Sequence, residues 1–303
     1  MTPLSNEILK KYQVRKSKKQ KEAFIELLKE HFPTLTVQKG GFPKCRNIII
    51  GDVESAKVVL TAHYDTCARL PVPNFIAPKN PILTILYSIL LYLPLIVLMF
   101  LLNIGLEFLY VDFWTQWFIT FGSIMAYCLL LLCGPANKHT ANDNTSGVIT
   151  LCELLTQLDD TQRNKVAFVF FDHEETGLIG SSYFRSKFKK QMKNKLLINL
   201  DCVSDGDHIL VSANKAARKN YGDQIKNAFL PTDTKSILFS NAEKTYYPSD
   251  RLGFKQSVAI AALKRKKFIG YYMDRIHTAK DTVFDHQNIA LICNSILNLL
   301  KGL

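Results

Sequence analysis

Two long uncharged apolar runs constrain the fold of this 303-residue chain more than any other feature. Residues 81–105 contain no charged side chain and are rich in Leu, Ile and Tyr, and residues 113–133 are again uncharged. A helix needs about 20 apolar residues to cross the hydrocarbon core of a bilayer, so each run is long enough to span it. Trp114 and Trp117 lie where an interfacial aromatic belt is expected. The pattern predicts a transmembrane helical hairpin. Two buried core helices are the alternative, but two such runs back to back are unusual in a soluble domain.

The charges around the two runs indicate the orientation of the hairpin. The linker carries Glu107 and Asp112 but no Lys or Arg, whereas Arg69, Lys79 and Lys138 flank the outer ends. Basic residues are enriched on the cytoplasmic side of membrane segments. We therefore predict an integral protein of the cell membrane, with both termini and the remaining domain in the cytoplasm.

The basic balance of the chain favours a lipid partner over a nucleic acid. Lys and Arg number 38 against 26 Asp and Glu, a formal charge of +12. The basic residues are spread along the chain and are densest in residues 15–21, beside a helical pattern. We predict a solvated helix face there, near anionic lipid, and no nucleic-acid partner.

The cysteines and the N-terminal segment favour a reducing compartment. The seven cysteines are odd in number, scattered and without a C-x-x-C pair, so the pattern predicts neither a disulfide framework nor a thiolate zinc site. The first residues are polar and then basic, without the apolar centre of a signal peptide.

Strand and helix patterns alternate on both sides of the hairpin. Apolar residues recur at helical spacing over residues 6–32, and β-branched runs at 47–51 and 57–62 are typical of strands. After the hairpin, helices are expected at 146–158, 178–190, 213–229 and 283–300, strands at 165–172, 196–203, 208–212, 256–263 and 268–272, and a loop region at 231–248. The alternation predicts an α/β fold with a mixed, mostly parallel β-sheet flanked by helices. Residues 1–80 and 135–303 then form one domain, and the hairpin at 81–134 is inserted into it.

Side chains that bind hard metal ions cluster at the predicted strand ends. Five clusters carry them: residues 62–65, 141–147, 172–178, 199–201 and 276–282. Loops at one end of the strands form the usual ligand crevice of an open α/β sheet, so the clusters can converge. A His, Asp and Glu set without thiolates suits zinc, or less selectively cobalt or manganese, and one Asp can bridge two ions. The sequence therefore predicts a two-metal site.

Two pairs of neighbouring residues within the clusters predict different roles for their members. Glu174 and Glu175 are adjacent, so their side chains diverge, and one can bind metal while the other is the general base for an attacking water. His63 and Asp65 are two apart on an extended segment and point to the same side. Asp65 can therefore hydrogen-bond and orient a metal-bound imidazole.

The ordered clusters resemble the co-catalytic zinc aminopeptidases, metallopeptidase family twenty-eight, which include bacterial leucyl aminopeptidases and are related to glutaminyl cyclases. The resemblance covers residues 57–66 and 141–300 well and 14–51 weakly, whereas 69–139 lie outside it. It implies a peptide substrate and two zinc ions per chain, with cobalt or manganese as possible substitutes. The family pattern implies these roles: His63 and Asp201 on one zinc, Glu175 and His277 on the other, Asp143 between both, and Glu174 as the general base.

The chain departs from the family pattern in two places. Ser249 and Asp250, followed by Phe254, resemble a serine–aspartate segment near the family's cleft, so Asp250 is a candidate substrate residue, but Arg251 stands where a histidine is common. The hairpin also lengthens a connection that is short in the family. An insertion there is expected to emerge near the mouth of the active site.

The resemblance implies a membrane-anchored aminopeptidase that uses metal-activated water. The alternatives are a glutaminyl cyclase-like acyl transfer or another amide hydrolysis on the same scaffold, and a catalytically idle membrane scaffold. The cyclase alternative is weaker because His63 completes a second metal site, which a single-zinc cyclase does not need. A carboxypeptidase-type relative would carry a dimerisation domain, for which no segment has room. Cys67 and Cys202 lie beside site residues and are interpreted as small packing residues, not nucleophiles.

Overall fold

A mixed β-sheet forms the centre of the protein in a computed structural model that describes residues 1–70 and 72–303. Its strands are β1 Thr36–Gly40, β2 Cys45–Ile50, β3 Val58–His63, β4 Val166–Phe171, β5 Leu196–Leu200, β6 His208–Ala213, β7 Ser236–Asn241, β8 Ser257–Lys266 and β9 Gly270–Tyr272. The strand order is β1-β2-β4-β3-β5-β8-β6-β7, and β9 pairs with β8. The central strands β4, β3, β5 and β8 are parallel, whereas β1, β2 and β6 add antiparallel pairs.

Helices cover both faces of the sheet. They are α1 Pro3–Lys11, α2 Lys18–His31, α3 Pro81–Phe108, α4 Phe113–Cys133, α5 Gly147–Gln157, α6 Asp160–Arg163, α7 Ile179–Lys187, α8 Lys215–Ala228 and α9 His286–Lys301. Alternate side chains of one strand enter opposite cores: Phe168 belongs to the core that includes residues of α1, α2, α5, α8 and α9, while Val169 belongs to the core that includes α7. Every residue of β4 is buried, as expected for a parallel strand covered on both sides. The predicted mixed α/β sheet flanked by helices is confirmed.

One strand lies where the sequence predicts only loop. β7 falls inside residues 231–248 and pairs with β6 in parallel over its whole length. The strand is at the edge of the sheet and most of its side chains are at least partly exposed, so it lacks the continuous apolar run that marks a buried strand. Cross-strand pairing, which a local pattern does not contain, decided this segment.

The basic run at residues 15–21 is not a solvated helix face at its two ends. Arg15 is fully buried; its Nη1 donates to Thr145 Oγ1 at 3.1 Å, and its guanidinium lies 5.3 Å from the centre of the Phe24 ring. Lys21 is buried too and forms an ion pair with Asp172. A buried charged side chain needs hydrogen-bond or ionic partners. The partners here, Thr145 for Arg15 and Asp172 for Lys21, come from distant segments of the chain. The predicted solvated face is wrong for Arg15 and Lys21.

The helices α3 and α4 form a hairpin with an apolar outer surface. They are joined by residues 109–112, and Tyr127 of α4 donates a hydrogen bond to the Leu91 carbonyl of α3 at 2.8 Å. With 28 and 21 residues, they extend about 42 and 32 Å at about 1.5 Å per residue. No side chain of α4 is buried. The alternative of two buried core helices is therefore wrong.

Candidate metal centre

The carboxyl ends of the parallel strands bring the candidate site together. His63 is the last residue of β3, Asp172 follows β4, and Asp201 follows β5. Parallel neighbours end at one edge of a sheet, which is where open α/β folds bind ligands. The turn that carries Asp143 and the loop that carries His277 close over this edge, so all five predicted ligands lie together: His63, Asp143, Glu175, Asp201 and His277.

Asp143 lies between two imidazoles. Its Oδ1 is 3.3 Å from His63 Nε2, and its Oδ2 is 2.9 Å from His277 Nε2. Each imidazole also faces a second carboxylate: His63 Nε2 is 3.6 Å from Asp201 Oδ1, and His277 Nε2 is 3.4 Å from Glu175 Oε2. Two groups of ligand atoms thus share Asp143 through opposite oxygens.

The turn that carries Asp143 is tied to the end of β5. The Asn144 side chain donates to the Leu200 carbonyl at 2.9 Å and accepts from the Gly147 amide at 3.0 Å. A Cβ at Gly147 would lie 2.5 Å from the Leu200 carbonyl oxygen, so only glycine permits this approach. These contacts fix Asp143 relative to Asp201, the residue after β5.

Asp281 is a positioning residue that sequence reasoning missed. Its carboxylate accepts hydrogen bonds from the amides of Asn142 and Asp143, at 2.8 and 3.0 Å. Burial and the neighbouring Asp143 raise the pKa of Asp281 to about 8. It follows His277 in a cluster that the sequence singled out, but no local signal separated it from the other polar residues there.

The Asp65 carboxylate contacts the backbone of Glu174 and Glu175. The sequence predicts instead that it contacts the His63 imidazole. Its carboxylate accepts from the amides of Glu174 and Glu175, at 3.0 and 3.2 Å. His63 Nδ1 is 3.1 Å from the Asp65 carbonyl oxygen and 3.7 Å from the carboxylate. The chain leaves the strand after His63, so the two side chains do not share one strand face. The Asp65 carbonyl accepts a hydrogen bond from His63 Nδ1–H, which leaves Nε2 free to bind metal.

The site carries more carboxylates than its imidazoles can neutralise. Burial raises the pKa of Glu175 to about 8 and the pKa of Glu174 well above its usual value. Burial acts the same way on Asp143, but hydrogen bonds from His277 and His63 outweigh it and hold the pKa of Asp143 low. Burial would lower the pKa of His277, yet Glu175 and Asp143 raise it to about 9. A cation would relieve this surplus of negative charge.

The donor atoms fit metal ions. Glu175 Oε1 is buried and has no hydrogen-bond partner, which is costly for a carboxylate unless a cation compensates it. Oxygen, nitrogen and sulfur donors of this kind are zinc ligands. Among the described residues, three groups have donor atoms within 4.8 Å of one another: His63, Asp143 and Asp201; His63, Glu174 and Glu175; and Cys67, Asp143, Glu175 and His277.

Asp250 is a buried carboxylate whose charge acts on the candidate site. It is fully buried, neither of its carboxylate oxygens has a hydrogen-bond partner, and burial raises its pKa to about 7. Its negative charge contributes to the raised pKa of Glu174. Arg251, at the position where the family pattern favours histidine, is also buried. A substrate role for Asp250 stays a prediction.

The segments before and after the hairpin hydrogen-bond to the loop that carries His277. Before the hairpin, the Leu70 amide donates to the His277 carbonyl at 2.9 Å. After it, the Asn137 side chain donates to the Thr278 carbonyl at 2.9 Å. His277 itself has a φ of 59°, in the left-handed region that residues with side chains seldom adopt. The chain thus passes the candidate site at Leu70, before the hairpin, and at Asn137, after it.

A family model matches the part of the chain that contains most of the candidate site. The family model described as Peptidase family M28 matches residues 126–298, which contain all the predicted ligands except His63. No curated protein sequence matches the chain.

Solved structures of low sequence identity share the fold. The LapA aminopeptidase of Legionella pneumophila has a TM-score of 0.58 at 12% identity, over 98% of this chain and 67% of that one. A Zn-dependent exopeptidase from Parabacteroides distasonis has a TM-score of 0.58 at 14% identity, over 98% and 94%. The Porphyromonas gingivalis glutaminyl cyclase has a TM-score of 0.58 at 15% identity, over 99% and 95%. Because the family model spans more than half of the chain, the protein belongs to peptidase family M28.

Proposed function

We propose that the chain is a membrane-anchored, zinc-dependent aminopeptidase that removes residues from the N-terminus of peptides. The observation that carries this proposal is the Asp143 carboxylate, which faces the imidazoles of His63 and His277 with opposite oxygens. The family supports zinc and a peptide substrate. In this proposal, one zinc is held by His63 and Asp201, the other by Glu175 and His277, and both by Asp143.

The chemistry divides between the metal ions and Glu174. Zinc bound at these residues lowers the pKa of water and polarises the scissile carbonyl. Glu174 takes the proton from the attacking water and returns it to the leaving amine. Burial raises the pKa of Glu174, which favours its role as a proton acceptor, and its backbone amide donates a hydrogen bond to the Asp65 carboxylate that fixes the backbone.

A peptide library distinguishes this function from its alternatives. Zinc-loaded protein in detergent is incubated with peptides and the products are identified by mass spectrometry. We expect peptides shortened from the N-terminus, and no cleavage of a matched library with acetylated N-termini. Loss of ammonia from peptides that begin with glutamine, without cleavage, would assign a cyclase instead. An unchanged library with both metals bound would contradict any catalytic role.

The membrane anchor is the second part of the proposal. The outer surfaces of α3 and α4 are apolar, and Phe108 and Leu101 are 82% and 60% exposed. Both helices are long and apolar enough to cross a bilayer. In this proposal, residues 81–134 are a transmembrane hairpin, and residues 1–80 and 135–303 form one catalytic domain on the cytoplasmic side of the cell membrane. The cleft then opens close to the membrane surface.

Cysteine labelling tests the orientation of the hairpin. Tyr110, in the turn between α3 and α4, and Phe268, in the β8–β9 turn, are both highly exposed, so Tyr110→Cys and Phe268→Cys form a matched pair. Each is made with Cys133→Ser, because the Cys133 side chain is exposed and would react with the label. We expect a membrane-impermeant maleimide to label Tyr110→Cys on intact cells and Phe268→Cys only after permeabilisation. The reverse order of labelling would overturn the orientation.

A further inference from the structure

Cys67 lies at the second group of metal-binding side chains, although its sequence context predicts only a packing role. Its thiol is free and the residue is 1% exposed. The sulfur and the donor atoms of Asp143, Glu175 and His277 lie within 4.8 Å of one another. Two ligands of one zinc are at most about 4.4 Å apart when one is sulfur, because Zn–S is about 2.3 Å and Zn–N about 2.1 Å. The limit of 4.8 Å for this group is about 0.4 Å longer than that maximum.

The backbone on both sides of Cys67 is held in place. The Cys67 carbonyl accepts from the Asn137 amide at 3.1 Å, and Ala68 forms a β-bridge with Ala136. The Leu70 amide donates to the His277 carbonyl. The segment that leads into the hairpin therefore lies between the segment that leaves it and the His277 loop. This arrangement keeps the sulfur beside the site.

A second observation in the same group indicates a missing cation. The Glu175 side chain is only 7% exposed, and its Oε1 has no hydrogen-bond partner, while Oε2 faces His277. Glu175, which carries this unpartnered oxygen, belongs to the group that contains the Cys67 sulfur. One cation bound by Glu175 and Cys67 would compensate the carboxylate and give the sulfur a binding partner. Two carboxylates, an imidazole and a thiolate form a donor set that suits zinc better than a hard cation such as magnesium.

Cys202 shows what a packed cysteine looks like in this neighbourhood. It is 2% exposed and adjacent to Asp201, to whose carboxylate its thiol donates at 3.2 Å. Its sulfur belongs to none of the metal-binding groups within the described part of the chain. Burial next to a proposed ligand is thus not enough to place a sulfur in a donor group. Cys202 is therefore the matched control for Cys67.

We propose that Cys67 is a fourth protein ligand of the second zinc site, as a thiolate beside Asp143, Glu175 and His277; this inference rests on the proposed function. On binding, the thiol releases its proton to solvent. Four protein ligands resemble the closed sites that retain zinc, whereas catalytic sites keep an open position. The Cys67 site then retains its ion firmly, and the open position for substrate or water belongs to the ion at His63 and Asp201.

Cobalt substitution tests the sulfur ligand without measuring activity. Wild type, Cys67→Ser and Cys202→Ser are loaded with Co²⁺, and bound metal is counted alongside the absorption spectrum. We expect two ions in the wild type and a thiolate-to-cobalt charge-transfer band in the near ultraviolet. The band is expected to persist in Cys202→Ser and to disappear in Cys67→Ser. X-ray absorption of the wild-type zinc protein, which needs no variant, is expected to show zinc–sulfur scattering at about 2.3 Å.

The outcomes separate this inference from the proposed function. Two bound ions with neither the charge-transfer band nor zinc–sulfur scattering in the wild type would overturn the role of Cys67 and leave the two-metal site standing. A band that persists in Cys67→Ser, or one that is lost in Cys202→Ser alone, would also overturn it. Failure of the wild type to bind metal would overturn both.

Discussion

Replacing Glu174 with glutamine is expected to lower kcat/KM for peptide hydrolysis by about 10²- to 10⁴-fold, the range typical of a lost general base. Glutamine has nearly the same shape but cannot accept the proton of the attacking water. The Glu174 amide still donates to Asp65, because that bond uses the backbone. Metal content is expected to stay unchanged, since the five proposed ligands are intact. Steady-state kinetics and metal analysis of the purified variant measure the two effects.

The same variant is expected to be more stable than the wild type in the metal-free state, although it loses activity. Burial raises the pKa of Glu174 in the metal-free protein above its ordinary value of 4.5. Above that ordinary pKa the group ionises freely in the unfolded chain but not in the folded one, so stability is lost as the pH rises. Metal-free Glu174→Gln escapes this loss, and it is expected to be more stable than metal-free wild type at neutral pH.

A matched control isolates the role of Glu174. Glu243 is exposed and pairs with Arg218 at 2.8 Å, so Glu243→Gln makes the same chemical change away from the site. It is expected to leave kcat/KM unchanged and to alter stability by less than about 1 kcal/mol. Full turnover in metal-loaded Glu174→Gln would rule out the assigned base.

Replacing Asp143 with asparagine is expected to abolish the binding of two zinc ions. Asp143 faces both imidazoles with separate oxygens, and an amide offers one oxygen and no charge in the same place. A ligand that binds only the folded state stabilises it by about 2.7 kcal/mol at 100 times its Kd. We expect the wild type to show stabilisation of that size when zinc is added after a chelator, and Asp143→Asn to show none. Thermal unfolding with and without zinc, together with metal analysis, measures it.

Two further variants provide comparisons for the number of zinc ions that Asp143→Asn binds. Of the two imidazoles, Asp201 faces that of His63, so Asp201→Asn is expected to lose one ion and to retain the one at His277. Asp233 is exposed in a loop, and Asp233→Asn is expected to bind two ions. If Asp143→Asn bound two zinc ions and kept the full zinc-dependent shift, a bridging role for Asp143 would be excluded.

Most strands and helices follow from local patterns, and the exceptions have a common cause. β1 and β7 were not predicted, and both are edge strands whose side chains are mostly at least partly exposed. The basic run at 15–21 was expected to be solvated, yet Lys21 meets Asp172, which lies 151 residues further along the chain. A local pattern records how apolar a segment is, but not which distant segment will supply its hydrogen bonds or its counter-charge.

The sequence by itself identified the residues that are candidates for the proposed chemistry. His63, Asp172 and Asp201 stand at strand ends, and parallel strands necessarily present their ends at one edge of the sheet. The sequence also determined that residues 81–105 and 113–133 are too apolar and uncharged for an exposed surface in water. Both conclusions depend on residue type and spacing, which a linear pattern contains.

Tertiary structure alone decided how these residues meet. In the structure, the Asp65 carboxylate contacts the backbone amide of Glu174, and the Asp281 carboxylate contacts the backbone amide of Asp143. Cys67 lies in a group of candidate metal ligands for which the sequence predicts no thiolate. In each case the partners come from separate segments, and their contacts are set by how loops pack over the sheet edge. Local spacing cannot specify those distances, because side chains far apart in the chain are oriented by the packing of the whole domain.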